Sequence, residues 1–272
     1  MNPIDALFQQ LRAQGRKAFI PFVTAGDPDL ETTASLIRRL ADCGASLIEI
    51  GFPYSDPIAD GPVIQASYTR ALDRGIHTDD ILTCVRQVIA HHPALASPLV
   101  MMVSYSIVHR RGPERFLAEA ATAGFSGAIV PDLPIDESEG LARLATTRDF
   151  KLIQLITPTT TPDRAAWIAR LSTGFVYYVS VTGITGERNR LPDELVDNVR
   201  RLRQMTDVPI CVGFGISKPE HVALLRDVAD GVIVGSALVR RLEAAASRPA
   251  AEVLDEIEHI VRGLVAALNP AA

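Results

Sequence analysis

Some residue types that mark particular classes of protein are scarce here. Only three cysteines occur among 272 residues, at Cys43, Cys84 and Cys211, and no pair forms a CxxC motif. This number and spacing exclude a disulfide framework and a cysteine zinc site, and are typical of reduced thiols in a cytoplasmic protein. Basic residues are also outnumbered, 27 to 32, and the resulting charge of −5 argues against a general nucleic-acid binder.

Long apolar runs are missing as well. No uninterrupted apolar stretch approaches the roughly 18 residues of a membrane span. The segment from Met1 to Arg16 mixes polar and apolar residues where a secretory signal would be continuously hydrophobic. With 18 glycines and 18 prolines, the chain also lacks the composition of a disordered segment. We therefore expect a cytoplasmic, globular protein with no membrane segment.

What the chain does contain is an alternation of short apolar runs with longer helical patterns. Each run is rich in Val, Ile and Leu and is bounded by Gly, Pro, Asp or Thr, which is typical of strands buried on both faces of a parallel sheet. The predicted strands are Ala18–Val23, Leu47–Gly51, Pro98–Tyr105, Gly127–Val130, Lys151–Ile156, Phe175–Val181, Pro209–Gly213 and Gly231–Val234.

Eight such strands alternating with at least eight helical patterns favour a closed barrel. The predicted fold is α/β, a single (β/α)8 TIM barrel that forms one domain over residues 1–272. An extra N-terminal helix, within Met1–Gln14, is expected to cap the bottom of the barrel, and additional helices are expected near the second and eighth strands. An open, doubly wound sheet is the alternative that the alternation alone leaves open.

A glutamate interrupts the second predicted strand. Side chains alternate along a strand, so Glu49 faces away from Ile48 and Ile50. If the isoleucines pack on the helices, Glu49 points into the barrel mouth, where a carboxylate is costly to bury without a role. The structural alternative is a glutamate paired with a buried Arg or Lys, but the neighbouring strands contain few cations.

A second carboxylate, Asp60, follows 11 residues later in a loop rich in proline. Two carboxylates at one barrel mouth can be held in different environments and divide acid and base work. Asp56 shares this loop, either as a turn residue before Pro57 or as an interface residue.

Glycines follow three consecutive late strands, at residues 183–186, 213–217 and 235–236. Glycine lets backbone N–H groups approach phosphate oxygens, and barrel enzymes often bind phosphate after strands seven and eight beside a short extra helix. Residues 237–246 fit that helix. A single glycine would indicate only a turn, whereas the three loops together predict a phosphate site.

Six motifs in fixed order make the assignment specific. The chain resembles the α subunit family of tryptophan synthase over nearly its whole length. The motifs are PFVTAGDP at 21–28, EIGFPYSDPIADGPVIQ at 49–65, PDLP at 131–134, VTGITG at 181–186, VGFGIS at 212–217 and ADGVIVGS at 229–236.

The resemblance implies a carbon–carbon lyase that cleaves indole-3-glycerol phosphate to indole and glyceraldehyde 3-phosphate by a retro-aldol reaction. It implies that Glu49 is the general acid for the ring carbon and helps to remove the hydroxyl proton. Asp60 would hold the indole N–H, and Tyr177 would assist from the sixth strand. The alternative for Tyr177 is an ordinary core aromatic.

The resemblance also assigns substrate contacts. Phe22 and Ile64 would pack on the indole ring, and Thr185 would close near Asp60 as part of a lid over residues 182–191. A mobile surface loop is the alternative to a lid. The phosphate contacts would come from Gly186, Phe214, Gly215, Gly235 and Ser236.

A partner follows from the resemblance too: a β subunit that carries pyridoxal phosphate, in an α2β2 heterotetramer. This subunit would need no cofactor and no metal of its own. Where the family pattern is close to Tyr-Tyr-Asn-Pro, this chain has Ser-Tyr-Ser-Ile at 104–107. The shorter Ser106 therefore replaces the asparagine at the expected contact. The residues expected to face the partner are Pro53, Tyr54, Asp56, Ser106 and Pro134.

Three other readings stay open at this level. The chain could be a stand-alone lyase that releases free indole, since the same active site would serve. It could be a catalytically weak barrel kept to activate the β subunit, although Glu49 and Asp60 argue against this. A different phosphate-binding barrel, such as an isomerase, would be favoured by a Lys or Cys acid–base group at a strand end, which the sequence does not offer.

Overall fold

Eight parallel strands close into a barrel in sequence order, with β1 pairing to β8, in this computed structural model, which describes residues 1–58, 60–180 and 191–270. The predicted (β/α)8 fold is therefore confirmed, and the open sheet is excluded. The strands are β1 Ala18–Thr24, β2 Ile48–Gly51, β3 Leu99–Met102, β4 Phe125–Ile129, β5 Lys151–Ile156, β6 Val176–Val179, β7 Ile210–Gly213 and β8 Gly231–Val234.

The α-helices of the described residues surround this barrel and include every helix that the periodicity predicts. Prolines occupy the first turn of five of them, where the missing N–H has no intrahelical partner to lose. Their bounds are α1 Pro3–Ala13, α2 Leu30–Asp42, α3 Pro62–Asp73, α4 Thr78–His91, α5 Tyr105–Arg111, α6 Pro113–Ala123, α7 Ser138–Thr146, α8 Pro162–Leu171, α9 Leu195–Arg203, α10 Pro219–Leu225, α11 Ser236–Leu242 and α12 Ala250–Leu268.

Alternation along the strands separates two apolar cores. Ile48 and Ile50 belong to the core between the strands and the outer helices, together with Leu36 of α2. Strand residues that point the other way, such as Phe22 of β1 and Tyr177 of β6, belong to the core inside the barrel. Glu49 lies between the two isoleucines, so its side chain faces the barrel interior as predicted.

The N-terminal helix seals the end of the barrel at which the strands begin. Asn2 caps α1 by accepting a hydrogen bond from the Ile4 amide, and its own amide donates to the backbone oxygens of Ser126 and Asp149. The Phe8 ring packs against Phe175 with the centroids 5.9 Å apart. The predicted bottom cap is therefore confirmed, and the site must use the opposite end.

The third strand is shorter than predicted. The apolar pattern extends it to Tyr105, but β3 ends at Met102 and Tyr105 starts the short helix α5. The cause is a carboxylate from the loop after β4. Asp132 accepts hydrogen bonds from the Ser104 hydroxyl at 2.6 Å and from the Tyr105 amide at 2.7 Å, which fixes the start of the helix.

The extra helices predicted near the second and eighth strands are α3 and α11. The segment 243–246, predicted as part of the second of these helices, is a 3-10 turn that continues α11. Among the helices of the described residues, none is both long and apolar enough to cross a membrane.

Candidate active site

A pocket of about 470 Å³ opens at the ends of the strands, opposite α1. It collects side chains and loops from six of the eight strand ends, which is the arrangement that (β/α)8 enzymes use. Its lining consists of Phe22, Glu49, Asp60, Ile64, Met102, Tyr177, Phe214, Gly215, Ile216, Ile233, Gly235 and Ser236. The nine predicted catalytic and substrate-binding residues that the structure describes all belong to this set.

Glu49 is fully buried, and within the described residues neither carboxylate oxygen has a hydrogen-bond partner. The reading of Glu49 as half of a buried ion pair is therefore wrong, since no described Lys or Arg pairs with it. Burial, and to a smaller extent the charge of Asp60, raises the pKa of Glu49 to about 8. Such a carboxyl group carries a proton at neutral pH and can donate it.

The second carboxylate is held differently. The Asp60 amide donates to Pro57 O at 3.0 Å, and the Gln65 side-chain amide donates to Asp60 O at 2.7 Å. The Tyr54 hydroxyl donates to Asp60 Oδ2 at 3.5 Å. Burial raises the pKa of Asp60 to about 6, and the hydrogen bond from Tyr54 opposes that rise. At neutral pH the two carboxyls thus differ: Glu49 is protonated, and Asp60 is ionised.

Tyr177 projects from β6 into the same pocket. Its ring meets Phe214 edge-on, with the centroids 5.7 Å apart. A Cβ on residue 213 would overlap the Tyr177 hydroxyl, so glycine is required at the end of β7. Burial, followed by the charges of Glu49 and Asp60, raises the pKa of Tyr177, which keeps the phenol protonated.

The glycine loops after β7 and β8 form the other end of the pocket. Phe214 and Gly215 both have left-handed backbone, at φ of 72° and 74°, and the Ser180 hydroxyl donates a hydrogen bond to Phe214 O. Gly235 precedes α11, and Ser236 is its first residue. Residues of both loops line the pocket, and glycine in such loops allows backbone N–H groups to approach an anionic group. Thr185, Gly186 and most of the predicted lid lie outside the described residues.

The residues predicted to face a partner divide into three groups by exposure. Asp56, Ser106 and Pro134 are exposed, Tyr54 is half-buried, and Pro53 is buried by the chain itself. The Tyr54 hydroxyl also donates a hydrogen bond to Asp60, which lines the pocket. The partner role of these five residues stays a prediction.

Three pocket residues were missed by the sequence analysis: Met102, Ile216 and Ile233. Alternation places Met102 and Ile233 on the inward face of their strands, so the signal was present. Ile216 lies inside the predicted loop 213–217, in which only Phe214 and Gly215 were predicted to contact the substrate. Among the described residues, no group of three or more His, Cys, Asp or Glu side chains could hold a metal ion.

A closed parallel barrel with two unlike carboxyls and two glycine-containing loops at its mouth defines a (β/α)8-barrel enzyme. Comparison with known sequences names the family. A model of the family described as tryptophan synthase alpha chain matches residues 8–268. This chain belongs to that family, and the assignment predicted from the six motifs is confirmed.

Individual relatives agree with the family model. A tryptophan synthase alpha chain from Rhodopirellula baltica is 52% identical over 258 residues, covering 95% of this chain and 93% of its own length. One from Synechocystis is 47% identical over 270 residues, covering 99% of this chain and 100% of its own length.

Solved structures give the same family. Tryptophan synthase subunit alpha from Legionella pneumophila superposes with a TM-score of 0.90 at 35% identity over the full length of both chains. A structure of Mycobacterium tuberculosis tryptophan synthase gives a TM-score of 0.88 at 32% identity and covers 98% of each chain.

Proposed function

We propose that this chain cleaves indole-3-glycerol phosphate to indole and glyceraldehyde 3-phosphate, as the α subunit of a tryptophan synthase. The observation that carries the proposal is the pair of carboxyls in the barrel mouth. Glu49 is buried, has no hydrogen-bond partner among the described residues and is protonated at neutral pH, and Asp60 is ionised in the same pocket. A retro-aldol reaction on this substrate needs one proton donor and one stabilising anion.

The shape of the pocket orients the substrate along it. The indole ring packs between Phe22 and Ile64, with its N–H donated to the Asp60 carboxylate. The phosphate lies at the other end, against the backbone N–H groups of Gly215, Gly235 and Ser236, with Phe214 beside it. Thr185 and Gly186 are proposed to complete this end. Because backbone dipoles hold the phosphate, a chain with a net charge of −5 can bind an anion.

The proton steps follow from the two carboxyls. Glu49 donates its proton to ring carbon C3, and Asp60 stabilises the positive charge that appears on the ring nitrogen. The Glu49 carboxylate then takes the proton of the glycerol hydroxyl next to the bond that breaks. That oxygen's electron pair forms the aldehyde C=O, and the electrons of the broken C–C bond restore the neutral indole. Glu49 ends the cycle protonated, as it began.

Tyr177 assists from the opposite wall. Its phenol stays protonated, so it acts as a hydrogen-bond donor near the glycerol oxygens, and its ring fixes Phe214.

The proposal extends to the partner. The chain works with a β subunit in an α2β2 heterotetramer, and the β subunit holds pyridoxal phosphate and converts the indole to L-tryptophan. The face that carries Asp56, Ser106 and Pro134, beside Tyr54 and Pro53, meets that subunit.

This chain forms one domain over residues 1–272, acts in the cytoplasm and uses no cofactor or metal of its own. A stand-alone lyase is not favoured, because the relatives described above are tryptophan synthase chains.

The direct test is indole release from indole-3-glycerol phosphate by the purified chain, with and without a β subunit. We expect release by the chain alone and stimulation by the β subunit. Glu49→Gln should lower kcat by roughly 10² to 10⁴, the usual contribution of general acid–base catalysis. Glu139→Gln, an exposed glutamate on α7, is the matched control and should keep wild-type activity.

Wild-type release no higher than that of Glu49→Gln, even with β subunit present, would refute the activity. Release that the β subunit neither binds nor stimulates would instead support the stand-alone lyase.

A further inference from the structure

Two tyrosines beside Asp60 take no part in the reaction as described. Tyr54 is half-buried in the loop after β2, and Tyr68 is fully buried on α3. Their rings pack against each other, with centroids 5.5 Å apart and planes at 55°. The proposed mechanism uses Asp60, and these two tyrosines are the side chains that can orient its carboxylate.

The backbone of Asp60 is fixed without the tyrosines. Gln65 donates to both Asp60 O and Pro57 O, at 2.7 and 3.2 Å, and the Asp60 amide donates to Pro57 O. These bonds locate the Cα but leave rotation of the carboxylate about its side-chain bonds undetermined. The hydrogen bond from the Tyr54 hydroxyl, at 3.5 Å, is the contact made to Oδ2 itself. This distance is longer than the roughly 2.5–3.0 Å of a strong O–H···O hydrogen bond, so a small shift of the carboxylate toward Tyr54 would strengthen it.

The Tyr68 hydroxyl has no hydrogen-bond partner within the part of the chain that the structure describes, although it is completely buried. A buried polar group without a partner destabilises a fold, so an apolar residue would suit a merely structural position better. The hydroxyl lies over Gly51, where a Cβ would overlap it, on the inward face of β2 that also carries Glu49. Of the charges that act on Tyr68, that of Asp60 is the strongest.

We propose that Tyr54 and Tyr68 are positioning residues for Asp60. The Tyr54 hydroxyl donates to Oδ2. The Tyr68 hydroxyl donates to the same carboxylate when the Tyr68 side chain turns into the pocket. Oδ1 is then left to accept the N–H of the substrate ring. Two phenol donors thereby hold the anion in one orientation. This inference rests on the proposed function only in giving Asp60 a substrate to bind; the arrangement of the three side chains does not depend on it.

The effect on titration has a definite sign. The groups that face Asp60 are Glu49 from β2, Tyr54 from the loop, Tyr68 from α3 and Tyr177 from β6, and Asp132 acts on Tyr54 from the loop after β4. A donated hydrogen bond stabilises the ionised carboxylate, so removal of a donor raises the pKa of Asp60.

The test compares Tyr54→Phe, Tyr68→Phe and the double variant in the full-length protein. The Asp60 carboxyl is titrated by ¹³C NMR without substrate, and Asp60→Asn assigns the signal. We expect the pKa of Asp60 to rise by about half a pH unit in Tyr54→Phe and by more in the double variant. Tyr178→Phe, on the outer face of β6, removes a hydroxyl away from the pocket and should leave the titration unchanged.

Kinetics give the second readout. The acidic limb of kcat/KM against pH should move up with the Asp60 pKa, so that Tyr54→Phe loses more activity at pH 6 than at pH 8, and KM should rise more than kcat falls. Unchanged Asp60 titration in both single variants would overturn the proposal. An activity loss of equal size at every pH would also overturn it, since that is the effect of a structural role alone.

The two proposals fail separately. If the wild-type chain releases no indole, the proposed function fails, yet the NMR titration still decides whether the tyrosines act on Asp60. If the wild-type chain is active and the titration is unmoved, only the positioning role fails.

Discussion

The two ends of the barrel differ in whether their shielded charged side chains have partners of opposite charge. Where the strands begin, Lys151 extends into the barrel and meets Asp5 of α1 at 2.6 Å, and the Asn2 side chain satisfies two backbone oxygens. Where the strands end, Glu49 has no hydrogen-bond partner among the described residues, and Asp60 accepts a hydrogen bond from a hydroxyl and has no described cation beside it. The closed end is arranged for stability, and the open end keeps its charges available for chemistry.

The difference between the ends should be largest in the pH dependence of stability. The folded chain raises the pKa of Glu49 from 4.5 to about 8, so the fold holds a proton that the unfolded chain releases in that interval. Stability should therefore fall as pH rises from about 4.5 to 8, by roughly 3 to 5 kcal/mol. Denaturant unfolding at a series of pH values measures this, and Glu49→Gln should remove most of the decline.

Part of the decline should survive in Glu49→Gln. Burial also raises the pKa of Asp60, from 3.8 to about 6, so its contribution is lost as pH rises between those values. A wild-type free energy of unfolding that instead increases from pH 5 to pH 8 would show that ionising Glu49 and Asp60 does not destabilise the fold.

The next largest effect is expected at the closed end. Phe8→Ala removes a ring that is buried against Phe175 and should cost about 3 kcal/mol through the cavity it leaves. The kcat of the folded chain should not change, because this contact lies at the opposite end from the pocket. Unfolding in urea and indole release on the same preparation check both parts.

Phe8→Leu, which preserves more of the volume, is the matched control and should cost less than half as much. If Phe8→Ala lowers kcat as strongly as it lowers stability, the two ends of the barrel are not independent, contrary to this prediction.

The smallest effect concerns the ion pair at the closed end. Asp5→Asn leaves Lys151 without its nearest carboxylate, and the pair is mostly shielded, with 15% and 34% of the two side chains exposed. We expect a loss of about 1 kcal/mol, measured by urea unfolding. Glu139→Gln removes the partner of Arg143 on the surface of α7 and should cost almost nothing. Equal losses in the two variants would mean that burial adds nothing to the pair.

Local pattern was sufficient to predict much of the site. The two-residue period of a strand places Glu49 opposite Ile48 and Ile50, and glycines at the ends of late strands mark the other end of the pocket. Each signal spans only a few residues of sequence, so neither needs knowledge of the tertiary structure.

Side-chain contacts were not predictable in this way. Tyr54 was assigned to the partner surface, but its hydroxyl donates a hydrogen bond to Asp60, six residues further along the same loop. The apolar run at β3 indicated a strand up to Tyr105, but Asp132, 27 residues further on, ends it earlier by capping a helix. The orphaned hydroxyl of Tyr68 gives no sequence signal at all, since a tyrosine in an amphipathic helix looks like any core aromatic.

By itself, the sequence determined the family, the order of strands and helices, and the inward direction of Glu49. Each of these depends on residue order or on a short backbone period. Only the tertiary structure decided which charges are paired. Closing the barrel brings Glu49, Asp60 and Tyr177 to one pocket with no described cation, while Lys151 pairs with Asp5 at the other end. The pKa of a buried group depends on what surrounds it in space, so the chemistry of the mouth was settled by the fold.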